Sequence, residues 1–262
     1  MDSVGITAST LPATRRAMVK LTRIIDFAIT AIFAISATAV AYGLLNGETV
    51  AAFGDASRAG KDNLLMVAEC ILGLAAVHLP DLIKRLFRFE ISTSLRALFS
   101  AFLFGAIYLG EVQNFYYIIP YWDVILHCTS GFMIAYLGFE LLQTLCERSS
   151  GTLKLPPVFC AVFAFFIALG IGGIWELYEY MMDGLLGLNM QKAILGSGEI
   201  LAGHAAITDT MKDVLVDCVG AVSASLFCCF SAKHKKAQMS VRCFRINISQ
   251  TILKYLSNNR VG

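Results

Sequence analysis

The chain has 262 residues, of which 57% are hydrophobic and only 15% are charged. This composition is too apolar for a soluble globular domain. Long uninterrupted apolar runs favour membrane-spanning helices over a β-barrel, whose strands would alternate apolar and polar residues. We therefore expect an all-α polytopic membrane protein whose main partner is the lipid bilayer, with no nucleic-acid partner.

Six apolar segments are long enough to cross a bilayer about 30 Å thick. They cover approximately residues 26–45, 63–80, 92–111, 123–146, 158–180 and 208–230. The sequence thus predicts a bundle of six transmembrane helices over residues 24–230. A basic leader over 1–23 precedes this domain, and a basic tail over 231–262 follows it.

The basic residues predict which side of the membrane each loop faces. With six spans, the leader, the 81–91 loop, the 147–156 loop and the tail share one side, and they contain most of the lysines and arginines. The opposite side has only Arg58, Lys61, Lys192 and Lys212. By the positive-inside rule, both termini are cytoplasmic.

Seven ionisable residues recur at intervals of three or four near the ends of three predicted spans: Asp123 and His127, Glu176 and Glu179, and Asp209, Asp213 and Asp217. Residues spaced in this way share one face of a helix. On the predicted topology, all three faces lie in the outer half of the membrane. Small residues continue these faces inward, as is typical of packed transmembrane helices. We therefore expect the seven side chains to point into the bundle.

Some of these residues also have simpler interpretations. Asp123 and Asp209 lie at helix starts and could be N-caps, and an isolated histidine on an apolar face is commonly a structural residue. Glu176, Asp213 and Asp217 lie further inside their spans, where ionisable side chains are costly. These three residues predict a functional site.

Crowded carboxylates need either protons or a bound cation. The sequence offers only His127 and Lys212 as nearby bases, and Lys212 points away from the Asp213 face. A divalent metal ion such as Mg²⁺, Mn²⁺ or Zn²⁺ suits an oxygen-rich site with one imidazole. Its candidate ligands are Glu176, Glu179, Asp209, Asp213 and Asp217, and the candidate catalytic residues are Asp123 and His127. In the loop over 181–207 we expect Asp183, Glu199 and His204 to be solvated, with a lid over the site as the alternative.

The motifs around these residues resemble the YjdF-like family of uncharacterised bacterial inner-membrane proteins. The resemblance covers residues 65–230 and rests on three motifs, Tyr121-Trp122-Asp123-x3-His127-x2-Ser130-Gly131, Trp175-Glu176-x2-Glu179 and Asp209-Thr210-x2-Asp213-x3-Asp217-x2-Gly220-Ala221. A looser similarity links the chain to VanZ-like membrane proteins. The resemblance implies a multi-pass protein of the bacterial cytoplasmic (inner) membrane and adds little mechanism.

Three functions are compatible with this sequence. The first is metal-dependent hydrolysis or group transfer on a lipid or cell-envelope intermediate, in which metal ions would have to hold a phosphate because no basic cluster is predicted at the site. The second is a proton- or cation-coupled transporter, although the sequence shows no inverted repeat. The third is a non-catalytic structural or regulatory protein that binds a stabilising cation.

Overall fold

The computed structural model describes residues 13–46, 63–149, 152–195 and 198–258. In these ranges the regular structure is helical, apart from an isolated β-bridge between Ile194 and Ile200. In chain order the helices are α1 (Ala13–Leu45), α2 (Asn63–Val77), α3 (Leu79–Phe87), α4 (Thr93–Leu103), α5 (Phe115–Ile118), α6 (Trp122–Arg148), α7 (Pro157–Leu186) and α8 (Thr208–Asn258). A π-helix over Phe104–Val112 continues α4, and one 3₁₀ turn over Ala205–Ile207 leads into α8. The predicted all-α class is confirmed.

Five helical segments are long and apolar enough to cross a membrane, and a sixth span results if α2 and α3 count as one bent span. The bend between α2 and α3 is 44°. Pro80 lies in the first turn of α3, where the absence of a backbone N–H is tolerated. We predicted that the second span ends near this proline, and the helix of this span, α2, ends at Val77, just before the bend into α3. The cytoplasmic placement of both termini and the domain limits stay predictions.

The helices α6, α7 and α8 pack against one another and form the half of the bundle that carries the seven ionisable residues. Buried alanines fill the centre of this half: Ala135, Ala168, Ala221 and Ala224. Gly220 on α8 lies so close to the Cys128 carbonyl of α6 that a Cβ at this position would collide with it. Small residues allow this close approach of helix backbones, as we predicted from the sequence.

The first turn of α6 is attached to the other half of the bundle through Trp122. The indole Nε1 of Trp122 donates a hydrogen bond to the carbonyl oxygen of Gly105 in the π-helix, at 3.2 Å. Its ring also packs edge-on against Phe115, with ring centroids 5.1 Å apart. These contacts fix the position of the neighbouring Asp123, which is the first residue of the candidate site.

An ion-pair network joins α1, α3 and α4. The Nε of Arg96 donates to Asp26 at 2.8 Å, and its two terminal nitrogens donate to Asp81 at 2.6 and 2.8 Å. The hydroxyl of Ser100 donates to the other carboxylate oxygen of Asp26 at 2.5 Å. Asp26 is buried, so the network neutralises a charge inside the first half of the bundle.

We expect Arg96→Met to lower the free energy of unfolding by about 3 kcal/mol, because Asp26 would stay buried without its cationic partner. Lys84→Met is the matched control, since Lys84 pairs with Glu90 at 2.8 Å but both side chains are more than half exposed. The control should change stability by less than about 1 kcal/mol. Denaturant titration in detergent micelles compares the variants, and equal losses would contradict the structural role of Arg96.

Candidate metal site at the ends of three helices

The seven ionisable residues singled out in the sequence lie where α6 and α8 begin and α7 approaches its end. Five of them are buried: His127, Glu176, Glu179, Asp213 and Asp217. Asp123 and Asp209 are half-buried. The structure therefore gathers carboxylates from three helices around one imidazole.

The tightest group consists of Asp123, His127 and Asp213. One possible ligand atom from each residue lies within 4.8 Å of the other two. Oδ1 of Asp123 is 3.7 Å from Nε2 of His127. Asp213 is 1% exposed, and its Oδ1 has no hydrogen-bond partner in the described part of the chain. Carboxylate oxygens and imidazole nitrogen are ligands of Mn²⁺, Zn²⁺ and related divalent ions, so these three residues could hold one.

Asp217 lies on the other side of the His127 imidazole. Its Oδ2 is 3.5 Å from Nδ1 of His127, and its Oδ1 accepts a hydrogen bond from Ser130 at 3.1 Å. Metal-binding histidines generally direct their second ring nitrogen toward a carboxylate, which orients the ring. We predicted Asp217 as a direct ligand, and its position fits a residue that orients His127.

Asp217 packs closely against α6 and α7 because two facing positions are glycine. A Cβ on Gly172 would collide with Oδ2 of Asp217, and a Cβ on Gly131 would collide with its backbone carbonyl oxygen. The adjacent Gly173 faces open space. Of the two consecutive glycines on α7, only Gly172 therefore makes room for the site.

Lys192 reaches the site from the loop that follows α7. Its ammonium donates to Oδ2 of Asp123 and lies 3.1 Å from Oδ2 of Asp209. Our prediction that only His127 and Lys212 are nearby bases is wrong, because this loop folds back over the helix ends and Lys212 is exposed. Burial lowers the pKa of Lys192, but the negative charges of Asp123 and Asp209 outweigh it and raise the pKa above its usual value. Lys192 is therefore a permanent cation at neutral pH.

We use the term strap for residues 188–195, the part of this loop that presents Lys192. Asp183 at the end of α7 accepts hydrogen bonds from the backbone amides of Met190 and Gln191, at 2.7 and 3.0 Å. The Gln191 side chain donates to the hydroxyl of Thr210 on α8 at 2.9 Å. Asp183, which we expected to be solvated, is half-buried, and its carboxylate holds the strap. Glu199 and His204 are exposed, as predicted.

Lys192 has a backbone φ of 50°, in the left-handed region that residues with a Cβ rarely adopt. Asn189 stabilises the strap on either side of this position. Its side chain accepts a hydrogen bond from the amide of Ile194 at 2.9 Å and donates to the Ile194 carbonyl at 2.8 Å. The strap thus has its own hydrogen bonds, which direct the lysine toward the carboxylates.

The two glutamates of α7 have different surroundings. Glu179 accepts a hydrogen bond from the indole Nε1 of Trp175 at 2.9 Å, and Trp175 is 47% exposed on the outside of the bundle. Glu176 is 5% exposed, and neither of its carboxylate oxygens makes a hydrogen bond to the described residues. An exposed aromatic side chain on the outside of the bundle therefore covers the acidic pocket at Glu179.

Comparison with known proteins finds a matching protein family. Residues 42–234, which include all seven ionisable residues, match a family described as "Predicted membrane protein (DUF2238)". A Thermotoga maritima protein with the description "Uncharacterized protein" is 27% identical over 142 residues, equal to 54% of this chain and 65% of the relative. The match thus spans less than two thirds of that relative. No solved structure matches the chain.

Proposed function

We propose that this chain, which belongs to the DUF2238 family of predicted membrane proteins, binds a divalent cation at Asp123, His127 and Asp213. The observation that carries this proposal is the position of one possible ligand atom from each residue within 4.8 Å of the other two. The buried Oδ1 of Asp213, which lacks a hydrogen bond in the described part of the chain, supports it. A buried carboxylate oxygen without a partner is unfavourable unless a cation or proton satisfies it.

The charge of the pocket also supports a bound cation. Six carboxylates surround the site: Asp123, Glu176, Glu179, Asp209, Asp213 and Asp217. The only bases with ion pairs to them among the described residues are Lys192 and His127. Even with both bases charged, four negative charges remain if every carboxylate is ionised. Such an excess in a site shielded from water is unfavourable, and a divalent cation reduces it.

The chemistry that fits this site best is metal-dependent hydrolysis or group transfer on a lipid or cell-envelope intermediate. A bound divalent ion would supply a Lewis acid for a phosphoryl or carbonyl oxygen. Lys192 adds the cationic side chain that we did not predict at the site. The predicted topology has the pocket in the outer half of the membrane, and the exposed ring of Trp175 beside Glu179 supports a position next to the lipid. An amphiphilic substrate could therefore reach it from the bilayer.

Cation- or proton-coupled transport has less support in this geometry. A transport path would have to continue along the bundle beyond Asp217. One helical turn beyond Gly131, Gly172 and Asp217, the helices meet at Ala135, Ala168 and Ala221, all of which are buried. Close-packed alanines leave no room for water. This layer favours a pocket that is closed at its inner end, as expected of a binding or catalytic site.

Metal analysis of the purified protein tests the proposed site. We expect wild-type protein to retain a stoichiometric divalent cation after dialysis, and the variant that combines Asp213→Ala with Asp217→Ala to retain none. Glu147→Gln is the control, because Glu147 is an exposed acid at the opposite end of α6. Equal, near-zero metal in wild type and the double variant would contradict the proposal.

Two further assays separate the possible roles of a bound cation. Turnover of phosphate-containing lipids that stops with a chelator supports the enzyme, whereas stabilisation by the cation without any turnover supports a structural or regulatory role. Cation-dependent proton flux in liposomes, lost in Glu176→Gln, would instead support transport.

A further inference from the structure

One carboxylate takes part in two different interactions. Oδ2 of Asp123 accepts a hydrogen bond from the Lys192 ammonium, whereas Oδ1 of Asp123 faces Nε2 of His127 at 3.7 Å. Asp123 is also one of the three proposed cation ligands. A divalent cation and the lysine ammonium would therefore share this carboxylate, so two cations would lie beside a single negative charge.

Lys192 is a fixed part of the pocket. The hydrogen bonds of Asp183 and Asn189 hold the strap, and the Gln191 side chain attaches it to Thr210 of α8. The Lys192 side chain is 33% exposed, and its ammonium lies between Asp123 and Asp209. In the part of the chain that the structure describes, no other lysine or arginine has an ion pair with the site carboxylates.

We propose that Lys192 is an internal cation that competes with the bound metal ion for Asp123 and thereby selects divalent over monovalent cations. This inference rests on the proposed cation site. A monovalent ion that displaces the ammonium exchanges one positive charge for another and loses the hydrogen bonds of Lys192. A divalent ion brings a second positive charge into a pocket with excess negative charge. Its electrostatic attraction to a site made of Asp123, His127 and Asp213 is therefore stronger than that of a monovalent ion.

The same competition couples the strap to cation binding. A metal ion at Asp123 repels the nearby ammonium and weakens the ion pair that joins the strap to α6. Coupling between two binding equilibria is reciprocal, so the docked lysine must in turn weaken metal binding. Removal of the Lys192 charge should therefore increase the affinity for divalent cations.

Binding of Mn²⁺ to full-length protein in detergent micelles, measured by titration calorimetry, tests the proposal. We expect Lys192→Gln to bind Mn²⁺ about tenfold more tightly than wild type, within the usual range of coupling between sites. NaCl at about 0.1 M should weaken Mn²⁺ binding more in Lys192→Gln than in wild type, beyond the general screening seen in both. Lys212→Gln is the matched control, because Lys212 carries the same charge at the start of α8 but is exposed. It should behave as wild type in both measurements.

Unchanged or weaker Mn²⁺ binding by Lys192→Gln, with wild-type binding intact, would overturn the role of Lys192 and leave the metal site standing. If wild-type protein does not bind Mn²⁺ at all, both proposals are overturned. If Lys192→Gln does not fold, hydrogen–deuterium exchange of the wild-type protein with and without Mn²⁺ tests the coupling between the strap and cation binding. We expect amides of residues 188–195 to exchange faster with saturating Mn²⁺, and unchanged or slower exchange there would overturn the proposal.

Discussion

In the presence of a chelator, the Asp213→Asn variant should be more stable than the wild-type protein, whereas Mn²⁺ should reverse this order. Asparagine has nearly the shape of aspartate but no charge, so the variant loses the repulsion between Asp213 and the acids around it. We expect a gain of about 1–3 kcal/mol in the free energy of unfolding without metal, the usual range for replacing an unfavourable buried charge. With Mn²⁺ at a hundred times its Kd, wild type should gain about 2.7 kcal/mol, and the variant, which lacks a ligand, should gain little.

Denaturant titrations with EDTA and with Mn²⁺ measure this reversal directly. Glu147→Gln serves as the control, since it removes an exposed carboxylate from the same bundle without touching the pocket. It should respond to Mn²⁺ as wild type does. An Asp213→Asn variant that is less stable than wild type under both conditions would show that the Asp213 carboxylate is stabilised by a structural partner and does not need a cation.

The second large effect is expected at Gly172, where a single methyl group should disturb the site. Gly172→Ala places a Cβ where Oδ2 of Asp217 lies, so the carboxylate must move away from Nδ1 of His127. We expect a loss of about 2 kcal/mol in stability, typical of overpacking. Affinity for Mn²⁺ should fall at least tenfold, by analogy with residues that orient metal-binding histidines.

Gly173→Ala is the control for this substitution, because the next residue on the same helix faces open space. Replacing a helical glycine by alanine there should leave Mn²⁺ affinity unchanged and raise stability by up to about 1 kcal/mol. Calorimetric titration and unfolding in the same detergent compare the two variants. Similar Mn²⁺ affinities for both would contradict the account of how Asp217 is held.

The sequence was sufficient to predict the spans and the faces of α6, α7 and α8 because this information is local. Apolar runs give the positions of the helices, and intervals of three or four residues give the shared faces. The polar intervals also identified His127 and Asp213 as members of one site. They did not distinguish Asp213 from Asp217, because two residues one turn apart share a face but meet different neighbours.

The signal that could have separated these two aspartates is the pair Gly172-Gly173 on α7. A glycine one turn before Glu176, on the face that meets α8, indicates space for a side chain from that helix. The sequence showed both glycines but not which of them faces Asp217, because this depends on the rotation of α7 against its neighbours.

Lys192 and Arg96 could not be assigned from the sequence for a different reason. Lys192 was counted only as a charge that indicates topology. The place of Lys192 depends on a loop whose path is set by Asp183 and Asn189. The partners of Arg96 come from two other helices, and Asp26 is 70 residues away in sequence. Contacts of this kind depend on tertiary packing, which periodicity does not encode.

The claim on which the account depends is that Asp123, His127 and Asp213 bind one divalent cation. Electron spin-echo envelope modulation of Mn²⁺ bound to protein with ¹⁵N-labelled histidine tests it most directly. We predict hyperfine coupling to one imidazole nitrogen in wild type, and its complete loss in His127→Gln. Tightly bound Mn²⁺ without any nitrogen coupling in wild type, or coupling that persists in His127→Gln, would contradict the claim.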